Sequence, residues 1–296
     1  MRPHALRIPL VLGALWAAAA TLQAQDRSLE LAVILHRAGE KVEEYFTRAQ
    51  SLICLEVVRL QPLASGLSPS GFGRTVESEL RLSWSPVAAT DAAPEAETLR
   101  QVVKVNGHPP RENDYNSCTT PEQQIRETQV LSMLLPAQRR HYRFALASAG
   151  KVDGRPALVV TYTNMRRRTV EVSLVEGRDD CINFEVDGGQ RGKIWLDPDT
   201  HEVLRLDQSL SGLVDIPMPR KIAGRAGTPV SWTMERLDTT IRFKPVSFQD
   251  PDETIMLPVS STELRVTRGS GQPRLRTITE YSRYQRFLTG ARVVQD

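Results

Sequence analysis

The sequence is short of nearly everything that catalysis would need. Its 296 residues hold five histidines, His4, His36, His108, His141 and His201. No two of them stand at the HExxH spacing, or a comparable one, that puts two imidazoles on one metal. No G-x-S-x-G elbow exposes a serine, and a cysteine nucleophile would need a histidine partner that the sequence does not advertise. No glycine-rich loop joins a strand to a helix, so a nucleotide phosphate has no cradle. Two acidic turns, "DPDT" with Asp197 and Asp199 and "DPDE" with Asp250, Asp252 and Glu253, lack the D-x-D-x-D-G order of a calcium loop and read as turn chemistry. Asp179, Asp180, Glu185 and Asp187 lie in strand-like sequence, where alternation sends such side chains to solvent. The expectation is therefore a protein with no metal and no cofactor, and not an enzyme. An exported hydrolase is the third reading carried.

Charge of one sign is also missing. The formal net charge of +3 falls to +1 once Arg2 and Arg7 are removed with a leader, which gives no electrostatic case for nucleic acid or an anionic membrane as partner. The run Arg166, Arg167 and Arg168 reads as a solvated strand or turn face, because three successive strand residues cannot all point one way. Long apolar runs are absent beyond the start. The stretch from Leu10 to Leu22 is about 13 residues, short of the roughly 20 that span a bilayer. With Arg2 and Arg7 before it, and Leu22 and Ala24 suiting a cut after Ala24, it reads as a signal peptide over residues 1–24. No cysteine follows to carry a lipid anchor. The expected product is a monomeric periplasmic or secreted protein without a transmembrane segment, a single β-rich domain over residues 25–296. Cysteine is scarce too. Of Cys54, Cys118 and Cys181, one is left over if a single bridge forms. Cys118 and Cys181, both in polar loop-like stretches, are the expected pair, and Cys54 reads as a small buried apolar side chain.

What is present is periodicity. Residues 26 to about 53 show a helical stripe of Leu31, Leu35, Ala38, Val42, Tyr45 or Phe46, Ala49 and Leu52, with charges between. The period then changes to two: Val76, Ser78, Leu80, Leu82 and Trp84 share one face of a half-buried strand. A second helix is announced over residues 121–135 by Thr120 as cap, Pro121 at the first position, Gln123 completing a capping box and Pro136 bounding its end. Its second half carries Val130, Leu131, Met133, Leu134 and Leu135, apolar on most sides. Two accounts stand, a helix end sunk in the core or a helix that lids an apolar cavity. Beyond Pro136 the pattern is strand, turn, strand, with turn signals at Asn106-Gly107 and Asp153-Gly154 and about ten strands in all. The fold class is α+β: a large antiparallel sheet with an N-terminal amphipathic helix.

At "KIWLDPDTHEVLRLD" the residues Ile194, Trp195, Leu196, Asp197, Pro198, Thr200 and Val203-Leu204-Arg205 form a strand, turn and strand. This stretch resembles the signature of the bacterial outer-membrane lipoprotein carriers and the periplasmic sigma-factor regulator that shares their LolA-like fold. The chain is also similar to a group of exported bacterial proteins of like length. The carrier resemblance implies a half-barrel, an incomplete curved sheet whose hollow is closed by helices and receives acyl chains or an extended lipidated segment. On that reading Leu131, Met133, Leu134 and Leu135 of the covering helix, with Ile194, Leu196, Leu204 and Leu206 of one parity on the hairpin, would line the cavity. The implied role is a carrier-like binding protein for lipid or lipoprotein. The alternative is an envelope interaction or sensing module that binds a protein partner. The added loops near residues 62–75, 85–98 and 212–232 depart from the carriers.

Overall fold

Alternation of apolar and polar residues dictates strands here, and short turns dictate that they run antiparallel. The structure, a computed structural model, describes residues 10–84, 93–115, 129–175, 178–223, 230–269 and 274–286. A long helix α1 (Leu10–Arg48) precedes strands β1 (Leu52–Leu63), β2 (Arg74–Trp84) and β3 (Ala96–Val105). A 3₁₀ helix (Gln129–Leu134) and a short α2 (Pro136–Arg139) follow. Then come β4 (Tyr142–Leu146), β5 (Gly150–Val152), β6 (Arg155–Asn164), β7 (Thr169–Val175), β8 (Arg178–Asp187), β9 (Gln190–Leu196), β10 (Val203–Leu210) and β11 (Val214–Pro217). A short α3 (Arg220–Ala223) leads into β12 (Ser231–Gln249), β13 (Asp252–Arg268) and β14 (Arg274–Arg286).

Ten of these strands line up as β3-β2-β1-β14-β13-β12-β10-β9-β6-β4, with β11 added beside β12 and β5 beside β6 in one 12-stranded sheet. The end strands β3 and β4 do not pair with each other, so the sheet is open. It must also be curved. A single apolar cluster joins Leu82 and Trp84 of β2 to Val160 and Tyr162 of β6, with Tyr142 and Phe144 of β4 against it. Laid flat, the eight strand steps from β2 to β4 would span about 38 Å at ~4.8 Å each, several times the width of the helix they surround. The right-handed twist of long strands supplies the curl. The result is an open antiparallel half-barrel with helices in its hollow.

The turns follow their sequence signals. Asn106 and Gly107 take φ of 49° and 83°, and Asp153 and Gly154 take 50° and 84°, the pair of left-handed residues that a type I′ hairpin turn requires. The face of β2 predicted to be inward is the buried one, at Val76, Ser78, Leu80, Leu82 and Trp84.

Three expectations are corrected. The first helix ends at Arg48, not near residue 53. Ser51 turns left-handed at φ 58°, and the β-branched Ile53, Val57 and Val58 prefer the pleated strand that follows, so Leu52 and Cys54 lie on β1. In the second expected helix, residues 121–128 lie outside the described residues, and the rest is a six-residue 3₁₀ turn. Pro136 opens α2 rather than only bounding a helix. Its ring forces Leu135 into extended backbone, φ −66° and ψ 144°, and its missing N–H is harmless in a first helical turn. The described residues hold fourteen strands, more than the ten counted; β1, β5, β8 and β11 are the additional ones.

Hairpin β7–β8 pairs with neither edge of the large sheet. Its Val170, Val172, Ile182, Phe184 and Val186 pack on a second cluster formed by Leu210, Val214, Ile216, Met218 and Met234. No helix among the described residues is long and apolar enough to cross a membrane.

Candidate functional site

The hollow of the sheet is lined by inward residues of seven strands and stoppered by two helical pieces. From α1, Ile34, Ala38, Val42 and Phe46 point into it, followed by Ala49 just past its end, and from the 3₁₀ helix come Leu131, Met133 and Leu134, all buried in one cluster with Leu135. The two pieces touch through a glycine: a Cβ on Gly39 of α1 would stand 2.8 Å from the Leu134 carbonyl oxygen. No side chain fits there, so residue 39 lets the 3₁₀ backbone lie directly on the helix. Edge-to-face rings tighten the same region, Phe46 against Trp84 at 4.9 Å and Tyr142 against Tyr162 at 6.1 Å.

Of the residues expected to line a cavity, the structure brings together Leu131, Met133, Leu134, Leu135, Ile194, Leu196 and Leu206. Leu204 is separated from them. The β9–β10 register shifts between Val203 and Arg205, a bulge that reverses facing at this point. Val203 therefore joins the hollow, while Leu204 packs on the outer face with Val152, Ala157 and Trp195. Gly192 of β9 has a packing role that the sequence did not single out. A Cβ there would fall 1.9 Å from the Asp207 carbonyl oxygen and 2.8 Å from the Tyr162 ring, so the glycine makes the space in which Tyr162 lies. Tyr162 is buried with its hydroxyl 3.2 Å from Gln208 Oε1, and burial pushes its pKa upward, with Tyr142 and Asp207 adding to the shift.

Side chains fill the hollow. A cleft of about 30 Å³ opens beside α1, with Val42, Tyr45, Leu131, Phe243 and Ile255 as floor and Lys41, Arg48 and Glu202 at its rim. A second, of about 10 Å³, lies between Tyr45, Leu80, Leu257, Tyr281 and Tyr284. Both fall far below the ~300–1,000 Å³ of ordinary ligand pockets. In this form an acyl chain has no room in either.

Towards β1, β2 and β3 the same concave face turns polar. Glu56, 2% exposed, receives two hydrogen bonds from the Arg100 guanidinium, Nε at 2.6 Å and Nη2 at 3.0 Å, and the Arg100 side chain is itself 7% exposed. Ser78 stands directly across from Glu56 in the sheet, fully buried. Beside this pair is Cys54, against Leu80 and Tyr281. Burial, and then the Glu56 carboxylate, push the Cys54 thiol up to about 12. The ion pair was missed from sequence. Its one signal was a glutamate on the same strand parity as Leu52 and Cys54.

The acidic turn at Asp197 is a structural device. Its Oδ1 accepts from the N–H groups of Asp199 at 3.0 Å and Thr200 at 3.1 Å, and Arg155 donates to Oδ2 at 2.8 Å. Burial works to raise the Asp197 pKa, but those two backbone donors, Arg155 and His201 together hold it below the usual carboxylate range. Glu253 is likewise engaged, with Arg48 at 2.9 Å and with Arg286. Among the described residues no group of three His, Cys, Asp or Glu is placed to hold a metal. Cys54 is a free buried thiol. The expected Cys118 to Cys181 bridge falls outside the described residues at Cys118, while the backbone of Cys181 lies on β8.

No family model and no curated protein matches the sequence. Among solved structures, the chain is similar to a domain described as an outer membrane lipoprotein-sorting protein from Vibrio parahaemolyticus, at 12% identity and TM-score 0.37, covering 87% of this chain and 94% of that one. It is similar to a LolA superfamily protein from Nitrosomonas europaea, at 12% identity and TM-score 0.36, over 88% and 96%. It is also similar to MucB, solved in complex with MucA(peri), at 12% identity and TM-score 0.22, over 84% and 92%.

Proposed function

We propose that the chain is a non-enzymatic binding protein of the bacterial envelope, exported by a signal peptide over residues 1–24. Its concave hollow takes up lipid or lipoprotein acyl chains when the segment from Gln129 to Arg139 lifts. The carrying observation is that an open-edged curved sheet shares one apolar lining with a short 3₁₀ cover, held to α1 at Gly39 rather than by strand pairing. The magnitudes permit exchange. Lifting the cover exposes Leu131, Met133, Leu134 and Leu135, roughly 6–12 kcal/mol at about 1.5–3 each. An acyl chain of about 16 carbons regains about 13 kcal/mol at ~0.8 per methylene, whereas one of about eight carbons regains about 6. Long chains offset the opening across its whole range, and short ones only at its lower end.

The filled hollow favours a second reading. If the cover is locked, the fold serves as an interaction or sensing module for an envelope protein partner. One titration separates the two, using fluorescent palmitoyl and octanoyl probes on the intact chain and on Gly39→Ala, whose new methyl meets the Leu134 carbonyl and loosens the cover. Acyl binding predicts uptake of palmitoyl but not octanoyl, tighter in Gly39→Ala. Failure of a folded Gly39→Ala variant to take up palmitoyl passes the hollow to the second reading.

A further inference from the structure

The antiparallel strands put their connections at two ends of the sheet, and the ends differ. One end collects the β1–β2 loop over residues 64–73, the β6–β7 connection, the start of β12, the end of β13 and the start of β14, with the β10–β11 loop alongside β12 next to them. Four large apolar side chains stand out in water there: Phe72, 100% exposed, with Met165, Leu213 and Val230. Among the described residues the connections at the opposite end expose none. Scattered single apolar residues mean little on a surface, but a set gathered on one edge is a contact signature.

These tips are held in place. The loop bearing Phe72 is tied by backbone hydrogen bonds from Leu67 to Ala64, from Ala64 to Ser68 and from Ser70 to Pro62, each 2.9 Å. Arg168 joins two neighbouring connections, donating to the carbonyls of Leu213 at 2.8 Å and Ser211 at 3.0 Å. Cations lie between the tips. Arg167, Arg220, Lys221 and Arg274 have no ion-pair partner among the described residues, and the nearby Asp187 and Glu235 are paired by Arg166 and Arg268. Glu112, Asp114 and Asp215 are the carboxylates of this end without a cationic partner among the described residues, Asp114 meeting a backbone N–H and Asp215 the Thr233 hydroxyl.

We propose that this rim docks on an anionic phospholipid surface. Phe72, Met165, Leu213 and Val230 would enter the boundary between headgroups and acyl chains, and the unpaired guanidinium and ammonium groups would meet the phosphates. Apolar tips arranged along one edge suit a plane that yields to them, and interleaved cations suit its negative charge. Between β2 and β6 the curved rim follows seven strand steps, about 34 Å of arc, so the tips are set around the mouth of the half-barrel rather than in one pocket. The inference stands whether or not the hollow takes acyl chains.

The test is co-flotation of the intact protein with vesicles of phosphatidylglycerol in phosphatidylcholine, against phosphatidylcholine alone. Phe72→Ser should lower the bound fraction about tenfold, the loss of one buried aromatic side chain. Arg167→Gln with Arg274→Gln should lower it by about tenfold or more on phosphatidylglycerol only, and added salt should do the same. These positions touch no buried cluster, and an unchanged melting temperature confirms each variant is folded. Flotation that is absent for the native protein, or equal for native and Phe72→Ser, overturns the proposal. So does a rim that retains single-stranded nucleic acid more tightly than vesicles.

Discussion

The two halves of the concave face solve the same burial problem in opposite ways. Beneath α1 and the 3₁₀ helix, β6, β9, β10, β12 and β13 present aliphatic and aromatic groups that exclude water by packing. Across β1, β2 and β3 the surface is equally buried but carries Glu56, Ser78 and Arg100. On the proposed acyl-binding reading the apolar half exchanges one greasy occupant for another at little net change. The polar half does not, because Glu56 and Arg100 there depend on each other. A hollow with one exchangeable half and one fixed half has a direction built into it.

The largest expected effect tests the fixed half. Glu56→Ala removes the carboxylate that Arg100 grips, and should destabilise by about 3–5 kcal/mol in urea unfolding. Replacing both by leucine should recover most of that loss. A single-variant cost below about 1 kcal/mol would erase the contrast between the halves. Next comes the exchangeable half. Leu134→Ala, at a fully buried position of the cover, should cost about 3 kcal/mol, and Leu134→Met under about 1.5, because volume is kept. If the methionine variant loses as much as the alanine one, shape rather than apolar filling governs that half.

A smaller effect belongs to the turn outside both halves. Asp197→Asn removes a carboxylate that takes two backbone N–H groups and Arg155, and should cost about 1–2 kcal/mol at neutral pH. The folded pKa lies below the unfolded one, so the unfolded state binds the proton first on acidification. The stabilisation is present above the ordinary aspartate pKa of about 3.9 and is lost as pH falls through the folded value. Melting curves of native protein and variant should therefore converge below about pH 4.

Much of this architecture is legible without coordinates because one face of each strand is buried and the side-chain period is two. Val76 to Trp84 announces its inward face, and Asn106-Gly107 and Asp153-Gly154 announce their turns. What is hidden depends on neighbours far away in sequence. The bulge that turns Leu204 outward arises from pairing with β9, and Glu56 meets Arg100 only because β2 lies between their strands. The boundary of α1 was misplaced because Leu52 fits a helical stripe and a strand face equally well.

The subtlest effect is read at Cys54, which sits where the two halves meet. Burial and the Glu56 carboxylate raise its pKa to about 12, while Arg100 and Tyr284 pull the other way. At pH 8 the folded thiol is therefore almost wholly protonated, and reaction with a thiol reagent should wait on opening of the structure. Between the ordinary thiol pKa of about 8.5 and the folded value of about 12, the unfolded state ionises and the folded state does not, so stability should fall as pH rises through that window. Glu56→Gln withdraws the neighbouring negative charge and leaves the Arg100 cation beside the sulfur, which should make the thiolate easier to form. Labelling of that variant, monitored alongside its stability, should run faster than its loss of stability alone explains. If the two track each other, the thiol senses only packing, and the boundary between the halves lies elsewhere than at β1.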